Sequence, residues 1–259
     1  MQLITSVKNE KIRLLRGLGD KKQRQESGLF LVEGEKLIRE ALECGRVPQL
    51  ALFTRESGAD PALLTELERA GCEVIETVPG VIDSVCDTKT PQGLAAAVPM
   101  KEWDDTDENG RTAVVLDGVS DPGNVGTVLR TAEAMGVDTV FLCGCADLYN
   151  PKVVRSTMGA IFRQRTIVCT DAADALSRLK SRGYKLYAAA LGGARDIRRA
   201  DFSGRSAIVI GSEAHGVSAA AVEMCDERVL IPMQGRTESL NAGVAAAICM
   251  WELCGRGCV

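Results

Sequence analysis

Short apolar runs alternate along the chain with stretches whose apolar residues recur every three or four positions. Ile12, Leu14, Leu15 and Leu18 predict an opening helix, residues 29–32 a strand, and residues 35–44 a helix with Leu37, Ile38, Ala41 and Leu42 on one side. Residues 50–53 read as a second strand. Pro61 stands just inside a helix that carries Leu63, Leu64 and Leu67 and stops at Gly71. Val74-Ile75 and residues 94–98 complete a small α/β unit. The pattern then breaks: residues 99–110 (PMKEWDDTDENG) hold Glu102, Asp104, Asp105, Asp107 and Glu108 with almost nothing to bury. The expected organisation is a small domain over 1–99, an acidic linker over 100–111 and a larger domain over 112–259.

In that larger domain the alternation is stronger. Strands are expected at 113–116, 139–143, 185–191, 207–210 and 228–232, and helices at 125–135, 171–180 and 240–253. Short apolar strands between helices imply an α/β fold, a parallel sheet with helices on both faces.

Composition narrows the class. Of 259 residues, 46% are hydrophobic and 25% charged, which excludes a disordered or collagen-like chain. No window reaches the roughly 18 uninterrupted apolar residues of a membrane span. The opening MQLITSVKNEKIRLL lacks the basic and then apolar regions of a signal peptide. Ten cysteines are scattered, with Cys143, Cys169 and Cys249 among apolar neighbours, so reduced thiols in a cytoplasmic protein are expected. No CxxC pair occurs and His215 is the single histidine, so no metal is expected. The net charge of −4 disfavours nucleic acid, but its distribution is uneven. Residues 1–24 carry Lys8, Lys11, Arg13, Arg16, Lys21, Lys22 and Arg24 against Glu10 and Asp20. This is either a solvated helix face or a phosphate-facing arm, with Lys8, Arg13, Lys22 and Arg24 as the candidate phosphate contacts.

Ligands of such sheets gather where strands end, and three strand ends carry unusual residues. The first, LDGVSDPGNVG at 116–126, leads into a helix bearing Arg130. Its glycines and proline force a tight loop in which Asn124 can face a ligand. The small apolar neighbours Val125, Val128, Leu129, Ala132 and Ala134 imply that Arg130 is buried and needs an anionic partner. The second is IGSEAHG at 210–216, where Glu213 either bonds a ligand or caps the next helix. The third is LIPMQGRTESLN at 230–241. There Ser239 suits a helix N-cap, and Asn241 falls just inside the final helix. GxGxxG, GxxxxGK[ST] and GxSxG are all absent, which removes dinucleotide, P-loop and serine-hydrolase chemistry in their usual forms.

Taken together, DPGNVGTVLRTAEAMG at 121–136, IGSEAHG at 210–216, and Ile231-Pro232-Met233 followed by Ser239-Leu240-Asn241 resemble the three motifs of the SpoU/TrmH family of RNA ribose 2′-O-methyltransferases. NPKVVRS at 150–156 resembles a family segment facing RNA, adding Lys152 and Arg155 to the candidate RNA contacts. FLVEGEK at 30–36 and TPQGL at 90–94 resemble the small substrate-binding domain of many members. The resemblance implies a trefoil-knotted C-terminal domain, a homodimer that completes the site, and S-adenosylmethionine as cofactor. It places the methyl donor against Leu191, Gly192, Gly211, Ile231, Met233 and Leu240. Asn124, Arg130, Glu213, Ser239 and Asn241 would then stand around the reacting ribose. The small domain points to 23S ribosomal RNA, with tRNA as the alternative and a non-catalytic RNA-binding or assembly protein as the rival class. One departure is Ala242-Gly243, where many members place another serine or a β-branched residue.

Overall fold

A computed structural model describes residues 2–103, 110–237 and 239–255 and divides the chain into two compact units. One unit comprises Met1–Lys101 with Tyr149–Phe162, the other Glu102–Leu148 with Arg163–Val259. The segment 149–162, which the sequence pattern assigns to the second domain, therefore packs with the first.

The first unit runs β1 (Gln2–Ile4), α1 (Glu10–Gly17), α2 (Lys21–Ser27), β2 (Leu29–Glu33), α3 (Glu35–Glu43), β3 (Leu50–Thr54), α4 (Pro61–Arg69), β4 (Glu73–Thr77), α5 (Pro79–Val85) and β5 (Leu94–Pro99). Its sheet has the order β1-β4-β3-β5-β2. β4 pairs in parallel with β1 and β3, while β5 runs antiparallel to β3 and β2. Asn9 caps α1, and Asp60 caps α4 with Pro61 behind it. The apolar faces of α1 and α5 (Ile12, Leu15, Val81, Ile82) close over Leu29, Leu31, Leu52 and Ile75 of the sheet.

The second unit continues with β6 (Thr112–Asp117), α6 (Pro122–Met135) and β7 (Thr139–Cys143). The chain gives α7 (Pro151–Thr157) to the first unit, then resumes with β8 (Thr166–Cys169), α8 (Ala172–Ser181), β9 (Lys185–Ala189), β10 (Arg195–Asp196), β11 (Ser206–Gly211), α9 (Ala219–Met224), β12 (Glu227–Leu230) and α10 (Ala242–Gly255). All seven strands are parallel, in the order β10-β12-β9-β11-β6-β7-β8. Ala113, Val115, Phe141 and Val209 pack with Ala175, Leu176 and Leu179 of α8 on one face. The alternate residues Val114, Leu116 and Ile208 are equally buried, on the side where α10 packs on β11 and β6. This is the expected parallel sheet covered on both faces.

The differences from expectation are local. β9 ends at Ala189 and β12 at Leu230, so Leu191, Ile231 and Pro232 lie in the loops beyond the sheet. The nine described cysteines are free thiols, with Cys143, Cys169 and Cys249 buried. No helix among the described residues is long and apolar enough to cross a membrane.

Candidate active site

Asp121 begins the construction by capping α6. Its carboxylate accepts from the Asn124 N–H at 2.9 Å, and Pro122 supplies the first helical position. This turn fixes Asn124 at the mouth of the sheet. Its Nδ2 donates to Glu213 Oε1, and its Oδ1 accepts from Asn241 Nδ2 at 2.9 Å. Glu213 Oε1 also accepts from the Ala242 N–H at 3.4 Å, and Asn241 Oδ1 accepts from the Val244 N–H at 3.2 Å. Asn241 is thus the cap of α10 rather than a residue inside it, and Ser239 stands two positions ahead of the cap. Glu213 does not cap α9, where Ser218 does so. Residues from all three motifs form one polar chain that links the first turn of α6, the loop after β11 and the start of α10.

Beyond β11 the backbone doubles back. Gly216 N–H donates to Ser212 O at 2.8 Å, and Asp117 Oδ2 anchors the loop by accepting from the Ser218 N–H at 2.8 Å. A β-carbon at Gly211 would lie 1.9 Å from the carbonyl carbon of Gly216, so this approach demands glycine. The fit is looser where α10 meets α6: a β-carbon at Gly243 would sit 3.2 Å from Asn241 Oδ1 and 3.4 Å from Thr127 Cγ2, side-chain atoms that need give only a few tenths of an ångström.

Between these loops lies a cleft of about 610 Å³, within the size range of small-molecule sites. Leu191, Gly211, Ile231, Met233 and Leu240 line it, and Glu213 and Ser239 form part of its wall. Gly192 does not. It lines a neighbouring recess, where its carbonyl accepts from Arg228 at 3.2 Å. Leu191 is 75% exposed, so apolar surface in the cleft is left without protein cover.

The family model for the SpoU rRNA methylase family matches residues 111–251, and that for an MRM3-like substrate binding domain matches residues 9–96. The chain belongs to the SpoU rRNA methylase family. This methylase is 35% identical over 256 residues to the 23S rRNA (guanosine(2553)-2′-O)-methyltransferase RlmP of Bacillus subtilis, a match covering 98% of this chain and 100% of that one. It superposes on the crystal structure of an AdoMet-bound rRNA methyltransferase from Sinorhizobium meliloti with a TM-score of 0.90 at 27% identity, covering 100% and 99% of the two chains. The SpoU methyltransferase AviRb from Streptomyces viridochromogenes, in complex with AdoMet, gives 0.86 at 28% identity, covering 96% and 98%.

Within this SpoU methylase the expectations for arginines need correction. Arg130 is exposed, and its guanidinium has no hydrogen-bond or ion-pair partner among the described residues. The apolar residues of α6 line one side, and position 130 falls on the other. Arg24 is 2% exposed and donates to the carbonyls of Leu18 and Gly19 at 2.8 and 2.9 Å, closing the α1–α2 turn instead of facing RNA. Arg155 is bound to Asp87 at 2.7 Å and Glu33 at 3.3 Å. Lys8, Arg13, Lys22 and Lys152 are exposed. His215, Ser212 and Arg228 also line the cleft although motif reasoning left them out. The first two fall within the IGSEAHG stretch, whereas Arg228 carries no signal beyond its place on a short strand.

Among the described residues no group of three or more His, Cys, Asp or Glu side chains is placed to hold a metal.

Proposed function

We propose that this chain transfers a methyl group from S-adenosylmethionine to a ribose 2′-hydroxyl of 23S ribosomal RNA, working in the cytoplasm as a homodimer. The observation that carries this reading is the 610 Å³ cleft with Glu213 in its wall, tied through one oxygen to Asn124 and to the start of α10. The donor fits this chain. The cleft has the required size, its apolar wall is open, and the backbone at Gly211 approaches so closely that no side chain could stand there.

When bound, the donor supplies an electrophilic methyl carbon. The protein's part is alignment and proton removal, because a 2′-hydroxyl is a weak nucleophile. Asn124, itself held by Asn241, and the Ala242 N–H hold Glu213 in place. Its Oε2 has no protein partner among the described residues, so it is open to accept from the hydroxyl. A guanidinium offers five N–H donors and no acceptor, so the role of Arg130 is to grip the adjacent phosphate and stabilise the developing alkoxide.

The dimer reading rests on α6 and α10. Val244 and Trp251, seven residues apart on one face of α10, are 50% and 66% exposed, and Thr127 and Arg130 are exposed on α6 beside it. A partner covering this face would enclose Arg130. The C-terminal unit is further read as a trefoil knot. Supporting this, β12 inserts between β10 and β9 before α10 returns to pack on β11 and α6. The choice of 23S RNA is supported by the end-to-end match with RlmP, small unit included.

The test is label transfer from S-adenosylmethionine to 23S RNA prepared from cells lacking the protein, with calorimetry of donor binding alongside. Donor binding without transfer to any RNA would favour a non-catalytic assembly role.

A further inference from the structure

A second cavity lies wholly within the first unit, at the junction of β2, α3, the loop before β5, and α7. It measures about 230 Å³ and is lined by Glu33, Lys36, Leu37, Thr88, Gln92, Met158 and neighbours. Its frame is built tightly. The Glu33 carboxylate accepts from the Asp87 N–H at 3.0 Å, from the Thr88 N–H at 3.3 Å and from the Thr88 hydroxyl at 2.7 Å. The same carboxylate and that of Asp87 hold Arg155. A β-carbon at Gly34 would fall 2.5 Å from Gln92 Oε1, so the Gln92 amide rests against the entry to α3. Lys36, Thr90 and Gln92 spend no side-chain hydrogen bond or ion pair on any described residue. Met158, at φ 51° and ψ 36°, is the single non-glycine residue among those described with a positive φ, and it is 40% exposed. Left-handed backbone costs a side chain about 1 kcal/mol or more, and an exposed methionine recovers little of that by packing. It ends α7 as a left-handed cap, its N–H donating to Arg155 O at 3.1 Å, and this sets its side chain at the rim of the cavity.

We infer that this cavity receives one nucleotide of the RNA, turned out of its stack. The inference deepens the RNA-binding reading of the first unit and rests on it. The cavity is smaller than the roughly 300 Å³ at which drug-sized sites begin, which suits a single planar ring rather than two stacked bases. Unstacked bases are read by hydrogen bonds along their edges and by stacking on flat or polarizable groups. The Gln92 amide offers a donor and an acceptor, and Thr90 a hydroxyl. The Arg155 guanidinium, held by two carboxylates, is a fixed plane, and the Met158 thioether makes favourable contact with an aromatic ring. Lys36 supplies the cation for the attached phosphate. Arg155 thus contributes its plane rather than a free charge.

Met158→Gly separates this role from a structural one, because the two predict opposite signs. Glycine relieves the left-handed strain, so thermal stability of the full chain rises whether or not the cavity binds RNA. The inference requires KM for 23S RNA to rise about tenfold at nearly constant kcat, with donor affinity unchanged, and Gln92→Ala to behave likewise. A second readout needs no knowledge of the substrate. The methyl-¹³C resonance of Met158, assigned by loss in Met158→Leu, is followed while AMP, GMP, CMP and UMP are titrated in turn. Saturable movement with at least one nucleotide, abolished in Gln92→Ala, is expected. Movement without any transfer to 23S RNA by the unsubstituted protein would leave the cavity standing and remove the ribosomal substrate. A stationary resonance with all four nucleotides, or unchanged KM in both variants of an active enzyme, overturns the inference.

Discussion

Glu213 and Gly211 sit two residues apart and differ in kind: on the proposed reading Glu213 offers a carboxylate oxygen to the hydroxyl, whereas Gly211 lets the chain close against the Gly216 backbone. Gly211→Ala is expected to cost about 3 kcal/mol, as overpacking does, and to abolish donor binding, because the added carbon meets backbone that cannot swing aside. Differential scanning calorimetry and titration calorimetry measure both effects. Arg130 acts elsewhere. Arg130→Ala is expected to lower methyl transfer by about 100-fold or more while donor affinity and thermal stability stay unchanged, since its guanidinium binds no described residue of its own chain. Appreciable residual turnover would remove Arg130 from the chemistry. The family resemblance, not the spacing, put Asn124, Glu213 and Asn241 in one cluster. The residue pattern of α6 misled on Arg130 because small residues around an arginine do not fix its side of the helix. Val125, Val128, Leu129 and Ala132 fill the buried side without it. Arg24 failed in the other direction: a cation in a basic run was needed to satisfy two carbonyls at a turn.

At the scale of elements, α10 has buried residues (Ala246, Cys249, Met250) against its own unit, yet it still shows Trp251 and Val244 to the outside. A helix apolar on both sides belongs between two layers. Trp251→Glu with Val244→Arg is therefore expected to turn a dimer into a folded monomer in light scattering, with methyl transfer lost and circular dichroism retained. A fully active monomer would contradict a site completed by the partner. The long, periodic elements such as α3, α4, α6 and the central strands could be read from residue order alone. The elements missed, β1, α2, α5, α7, β8, β10 and α9, are short or lack periodicity: α2 (KKQRQES) is polar throughout, β10 has two residues, and α7 is a seven-residue helix whose buried face meets β2 far away in sequence. The acidic stretch read as a linker lies largely at 104–109, outside the described residues.

For the whole molecule, the free thiols give a pH signature. Burial pushes Cys72, Cys225 and Cys249 up to about 12 from an ordinary value of 9.0. Once the unfolded thiols ionise near 9.0, the folded state still holds its protons, so the unfolded state binds fewer. The stability these thiols lend is complete below that point and drains away as pH climbs toward 12. The urea midpoint should accordingly fall as pH rises from about 9 to 11, and less steeply when Cys249 is replaced by alanine. Catalysis remains the central claim, and one assay addresses it most directly. The purified protein is incubated with methyl-labelled S-adenosylmethionine and undermethylated 23S RNA, and the product is hydrolysed with alkali. Label held in a single alkali-resistant dinucleotide is the expected result, because a methylated 2′-oxygen cannot attack its neighbouring phosphodiester. Label released as ordinary mononucleotides would place the methyl on a base and contradict ribose methylation, whatever the cleft binds.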